Sequence, residues 1–200
     1  MKNFIFLAIF FTSVFGFSQN REKGTIELTP IVGYATANYY SSEELNNSGL
    51  TSIDFGINAD YFFNDRWSLR TGLLNQTMGS VYSAFNGIQT IKYEEQLEYL
   101  TVPINANWHF GSTRKWNLNF GPSLGFLMSA KANGQDVKEA VNTFQLGLNF
   151  GIGYKIAITE KFSILLDYQG MTGLTEVVKD APFDIKNAYG VLNIGGVFKL

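Results

Sequence analysis

The chain has 200 residues, 46% hydrophobic and 16% aromatic, with no cysteine and a formal net charge of −2. That length fits one domain; the missing cysteines exclude a disulfide framework and a thiol-linked lipid anchor, and the mild acidity speaks against nucleic acid. Beyond the first eighteen residues no apolar run is long enough for a spanning helix, so any membrane crossing must be made by strands.

Residues 1–18 read as a cleaved export signal. Lys2 precedes an apolar run from Phe4 to Phe11, and Gly16 and Ser18 stand at the −3 and −1 positions of a cleavage site. The mature domain is expected to start at Gln19 and run to residue 200. Strands are predicted over 24–35, 51–63, 67–79, 96–110, 116–130, 143–158, 162–172 and 187–200. In the sixth, Phe144, Leu146, Leu148, Phe150, Ile152 and Tyr154 alternate with Gln145, Gly147, Asn149, Gly151, Gly153 and Lys155, and this period of two marks a sheet with one apolar face. Most of the segments exceed the five or six residues usual in soluble strands and reach the roughly nine to eleven that a tilted transmembrane strand needs.

Three connections are short, 64–66, 111–115 and 159–161, and the other four are expected to be loops of a dozen residues or more. Short turns at one end and long loops at the other are the habit of an outer-membrane barrel, with the turns periplasmic. Trp67, Trp108 and Trp116 fall near the short turns with Phe63, Phe110, Phe162 and Phe198, which predicts a periplasmic aromatic girdle; Tyr39, Tyr40, Tyr93 and Tyr99 are candidates for an outer one.

Glu27, Asp54, Asp60, Arg70, Lys155, Asp167 and Lys199 share the polar face, while Glu98 breaks that parity near the outer end of its strand. The segregation has a physical reason, because an Arg or Lys facing mid-bilayer lipid costs about 2–4 kcal/mol. Asp60, Arg70, Lys155 and Asp167 form a candidate interior network, read as a salt-bridged plug in preference to an ion path, since eight strands enclose a lumen that side chains fill. Small inward residues such as Asn105, Asn107, Asn119, Gly121, Gly147 and Gly151 suit that narrow space. Pro30, Pro103 and Pro122 lie inside predicted strands, where each removes a ladder donor, and bulges are expected there. His109, the single histidine, falls by a short turn and is read as structural. No catalytic, metal or cofactor-binding site is expected.

Tyr99, Leu100, Thr101, Val102, Pro103 and Ile104, then Gly121, Pro122, Ser123, Leu124 and Gly125, resemble outer-membrane β-barrel proteins of the PorT-like type, and Trp67–Leu73 resembles the third strand of that family. The resemblance implies an all-β, eight-stranded antiparallel transmembrane barrel of the general OmpA and OmpX kind in a Gram-negative outer membrane, inserted by the outer-membrane assembly machinery. The alternating end, Leu192, Ile194, Phe198 and Leu200, resembles the assembly signal of such proteins, although Phe is commoner there than Leu200. The expected role is structural or recognition at the cell surface, by a monomer in contact with outer-membrane lipid and lipopolysaccharide, whose loops would meet any extracellular ligand. Three alternatives stand beside it: a narrow transport pore, a lipid-modifying enzyme and a secreted soluble β-protein.

Overall fold

A computed structural model of the protein describes residues 21–85 and 88–200, so the export signal and its cleavage site lie outside the described residues. The strands are β1 (Ile26–Ser41), β2 (Asn47–Phe62), β3 (Trp67–Phe85), β4 (Thr90–Phe110), β5 (Trp116–Ala132), β6 (Gln135–Asp136), β7 (Phe144–Ala157), β8 (Phe162–Gly173) and β9 (Ile185–Lys199). β6 and a short 3₁₀ turn at Lys138–Ala140 decorate one loop. The other eight strands pair antiparallel in the order β4-β3-β2-β1-β9-β8-β7-β5, and β4 pairs with β5 to close the ring. Closure leaves no sheet edge in the membrane, as strands in lipid require.

Over the lower part of the barrel outward side chains are apolar and most inward ones polar, small or charged, with Phe62, Leu165 and Val197 as buried apolar exceptions. From Phe63, just past the end of β2, up the strand through Tyr61, Ala59, Ile57 and Phe55 to Ile53, the outward positions carry no polar group beyond the tyrosine hydroxyl. That stretch of a strand tilted about 40° spans ~25 Å, the height of the apolar band that bilayers impose on barrels.

The strands outrun the predicted ones at the outer end. β3 and β4 stay paired up to Phe85 and Thr90, and β1 runs on to Ser41, so two of the four expected long loops are hairpin turns on extended strands. Cross-strand pairs such as Tyr82 with Tyr93, whose rings stack at 6.5 Å, extend the sheet above the apolar band. Only the connections 133–143 and 174–184 remain long, and they bind each other through a Val141–Val178 bridge and through Asn142 N donating to Val177 O at 2.8 Å.

The expected bulges at the prolines do not occur. Pairing lapses beside Pro30 on the β9 side, beside Pro103 on the β3 side and beside Pro122 on the β4 side, yet the register resumes unshifted in all three places. Each proline stays paired with its other neighbour, Ile57, Ser123 or Leu148. The reason is geometric: a strand residue presents its N–H to one side, so a proline costs its ladder one donor on that side alone.

True irregularities lie elsewhere. Met128 is an extra residue in β5 opposite the Glu98–Tyr99 step. Between β2 and β3 the pairing stops from Leu50 to Asp54 against Gln76 to Gly79, and the register shifts across the gap. Gly79 allows this with φ +132, and a Cβ added there would run into the Glu95 carbonyl. Gly79→Ala is therefore expected to lower stability by about 1–3 kcal/mol, through backbone strain as well as the clash. The check is urea unfolding of the refolded barrel.

Candidate functional site: the filled lumen

The periplasmic end is closed by Arg21, which precedes β1, and by side chains from β1, β2, β4 and β7. Arg21 Nε donates to Glu27 Oε1 at 2.6 Å, and Lys155 Nζ reaches the other carboxylate oxygen of Glu27. Both cations lie over the face of Phe62, Arg21 at 4.8 Å and Lys155 at 5.7 Å from the ring centroid. Phe62 in turn packs on His109 with ring centroids 4.8 Å apart. All five side chains are buried, and the two cations balance the carboxylate by charge-assisted bonds and by the negative face of the ring. Truncating Arg21 to Ala is expected to lower stability by about 1.5–3 kcal/mol, the worth of a hydrogen bond to a charged group. It should also open the mouth, read out as faster exchange of the Glu27 and Lys155 amides with deuterium.

Above this seal Asp60 gathers four donors. Arg70 reaches it with Nε at 3.2 Å from Oδ1 and Nη2 at 3.1 Å from Oδ2, Asn107 donates at 2.8 Å and Ser68 at 3.1 Å. The remaining guanidinium nitrogen, Nη1, lies 3.7 Å from Asp167 Oδ1, and Gln169 holds the other Asp167 oxygen at 2.7 Å. An amide ladder continues sideways, with Asn117 donating to Asn107 at 3.2 Å and Asn105 to Asn119 at 3.0 Å. Of the four residues singled out from the sequence, Asp60, Arg70 and Asp167 thus meet directly. Lys155 belongs to the lower group, where its partner is Glu27.

Ser68 also lies 3.2 Å from His109 Nε2. A serine has one proton, and the acceptor-only carboxylate of Asp60 takes it, so His109 faces Ser68 through a protonated Nε2 and has no lone pair there to act as a base. The contact is a packing hydrogen bond.

Higher still the lumen turns apolar. Met78, Leu97, Tyr99, Leu127, Met171 and Tyr189 fill it, and Val141 and Val177 from the two long loops cap it. The interior expected to be polar throughout carries an apolar layer above its polar lower part, with Gln145 and Asn187 buried in that layer, Asn187 donating to Gln145 and Gln145 to the Met78 sulfur. Tyr39 and Tyr99, proposed above for an outer girdle, point inward and are 6% and 1% exposed; Tyr40 does face outward, whereas Tyr93 shares the inward parity of Glu95, Leu97 and Tyr99 and stacks on Tyr82 at the upper end of the sheet. On β4 the alternation persists with its polarity inverted, Leu97 and Tyr99 inward against outward Gln96 and Glu98, so a parity read from lipid-facing apolar residues does not find this layer. Between the two layers a cavity of about 30 Å³ lies under Tyr189 and Met171 and over Arg70, Asn58, Asn105 and Asn193, room for one or two waters.

On the outside, the residues named for a periplasmic girdle form a nearly continuous run of rings: Trp67 on Trp108 at 6.2 Å, Trp108 on Phe110 at 5.1 Å, Phe110 on Trp116 at 6.2 Å, Trp116 on Tyr154 at 4.8 Å, and Phe162 on Phe198 at 5.1 Å. At the opposite end Asp184 accepts from the Ser42 hydroxyl at 2.6 Å and from Lys186 at 2.9 Å, and these bonds, the Ser42 hydroxyl first, hold its carboxyl below the usual range. Because the folded-state value is depressed, this tie between the ends of β1 and β9 persists above the ordinary carboxylate pKa and is released as pH falls through the lowered one.

A closed antiparallel ring with an apolar exterior, charges inside and rings at one rim defines a small transmembrane β-barrel of a Gram-negative outer membrane. The chain belongs to the outer membrane protein beta-barrel domain family, whose pattern it matches over residues 4–191. Among solved structures it is similar to the outer membrane protein OprG from Pseudomonas aeruginosa, at 12% identity over 91% of this chain and 98% of that one, TM-score 0.56. It is also similar to Neisserial surface protein A, at 18% identity over 88% and 99%, TM-score 0.53. At such identities the likeness concerns the fold. No curated protein sequence matches the chain.

Proposed function

We propose that this protein is a non-conducting, non-enzymatic barrel of the cell surface, structural or recognising an external partner through its outer hairpins and loops. The observation that carries the reading is the filling of the lumen at three levels: the Arg21–Glu27–Lys155 group over Phe62, the Asp60–Arg70–Asp167 group, and the Met, Leu and Tyr layer capped by Val141 and Val177. Against catalysis stands the Ser68–His109 pair, in which the imidazole nitrogen that faces the hydroxyl is the donor, and both side chains are buried. The stacked rings of Trp67, Trp108 and Trp116, with Phe198 beside Phe162, serve in this reading as the periplasmic anchor, in contact with phospholipid headgroups, and lipopolysaccharide surrounds the outer half as a lipid partner.

Within the family, the Tyr99–Ile104 and Gly121–Gly125 segments favour the PorT-like branch. We further take the mature protein to be a monomer starting at Gln19 and delivered by the outer-membrane assembly machinery. Planar-bilayer recording of the refolded protein, its fold verified by heat-modifiable gel mobility, tests the central reading. Silence is expected. Discrete steps that disappear on Arg70→Ala would make the protein a pore.

A further inference from the structure

The gap between β2 and β3 has no proline to explain it and is confined to one seam. Leu50–Asp54 stay in register with β1, and Gln76–Gly79 with β4, so only the wall between β2 and β3 is unzipped. Irregular backbone at membrane depth is tolerated where it lines a cavity, and the seam does so: Asp54 and Gln76 line the lumenal cavity from inside, and Phe55 and Asn75 reach the same cavity from the outward face. Two side chains of β2 reach across the gap, Leu50 against Gly79 and Asp54 onto the Thr77 backbone. Asp54 Oδ1 accepts from the Thr77 backbone N–H at 3.2 Å and from Ser52 at 2.9 Å, and its Oδ2 takes the Tyr189 hydroxyl at 2.6 Å from across the lumen.

The chemistry around the seam has one sign. Asp54 stands on its inner side, and outward-facing Glu98 is paired with Thr77 on its outer side. β2 carries no basic residue, and Arg70, the basic residue of β3, is engaged by Asp60 and Asp167. Asn75, at the level of apolar Phe55 and Leu100, puts an amide where the lipid face is otherwise hydrocarbon-like. Ile53 and Phe55, 64% and 61% exposed, flank it. An apolar approach from the membrane thus leads to acceptor groups and negative charge, at the height where Glu98 marks the upper limit of the apolar band.

We propose that the β2–β3 seam is a lateral binding site for a single-chain amphiphile with a hydrogen-bond-donating, non-anionic head, an amine or a hydroxyl, whose chain stays in the outer leaflet against Ile53 and Phe55. The head replaces the Thr77 N–H at Asp54, and the cavity below gives it space; an anionic head would meet Asp54 and Glu98 and is rejected. The site does not require the lumen to conduct.

The test uses the full refolded barrel in lipid nanodiscs, with the backbone amide of residue 77 followed by NMR while dodecylamine, dodecanol or dodecanoate is titrated. The expected result is a saturable shift of that amide with the amine, half-complete at a concentration at least tenfold below that for dodecanoate, with dodecanol between them. Asp54→Asn should bring amine and carboxylate to within about threefold of each other. In an Ile53→Cys/Thr77→Cys variant, oxidation should abolish the amine-induced shift and reduction restore it; the natural chain has no cysteine to interfere. Equal responses to amine and carboxylate in the unsubstituted protein, or an amine response that survives the oxidised tether, would overturn the proposal and leave general partitioning onto an apolar wall.

Discussion

Arg70→Ala should destabilise the barrel by about 3–5 kcal/mol, the loss that follows when one partner of a buried ion pair is removed and the charge left behind has no counterion. Here two carboxylates would be stranded. Asp60 would keep Ser68 and Asn107 as donors but lose its charge partner, and Asp167 would keep only Gln169. The measure is the urea midpoint of the refolded protein, with gel mobility reporting the barrel. A companion variant separates charge from volume: Arg70→Met together with Asp60→Asn and Asp167→Asn removes all three charges at similar size and should recover most of the loss. If the single substitution left the midpoint unchanged, the lumenal group would not be stabilising the fold.

Phe150→Arg should cost about 2–4 kcal/mol for a reason opposite in geometry, because it puts a charge on the lipid side in the middle of the band. Phe150 is 54% exposed, sits in register with Phe120 on one side and Gly170 on the other, and lies four residues above the Tyr154 ring of the aromatic belt. Its ring covers Gly170, where a Cβ would collide with it, so the substitution also uncovers backbone. The same change at Phe198, within the belt and near the interface, should cost about 1 kcal/mol or less, as the depth dependence of such penalties requires. Equal costs at the two depths would contradict the proposed position of the membrane.

Much of the barrel was legible because its code is a parity. Lipid sorts outward from inward at every second residue, so the positions of Glu27, Asp54, Asp60, Arg70, Lys155 and Asp167 along their strands assign them to the interior. Parity says nothing of who meets whom across the lumen. Lys155 was grouped with Arg70, but strand stagger brings it to Glu27 and to Arg21. Arg21 itself precedes β1 and belongs to no alternating run, so nothing local marked it. The outer apolar layer escaped because polarity stops reporting the side above the lipid band: Leu97 stands inward between outward polar Gln96 and Glu98 and Met78 beside Thr77, which inverts the code, and Leu127 lies between apolar Phe126 and Met128, which erases it. The β2–β3 seam was invisible for a different reason: it depends on the register between strands, and Gly79 alone hinted at it.

The height of the β3–β4 arm carries a practical consequence. From Glu98, at the top of the apolar band, β4 continues to Thr90, and eight tilted strand residues rise ~20 Å. The upper ends of the two strands therefore stand clear of the headgroup layer, where Ile88 is 89% exposed. An epitope tag inserted between Ile88 and Gln89 would be read by antibody on intact cells, and a protease added outside would cut there first, leaving the eight strands below as two fragments still held by their ladders.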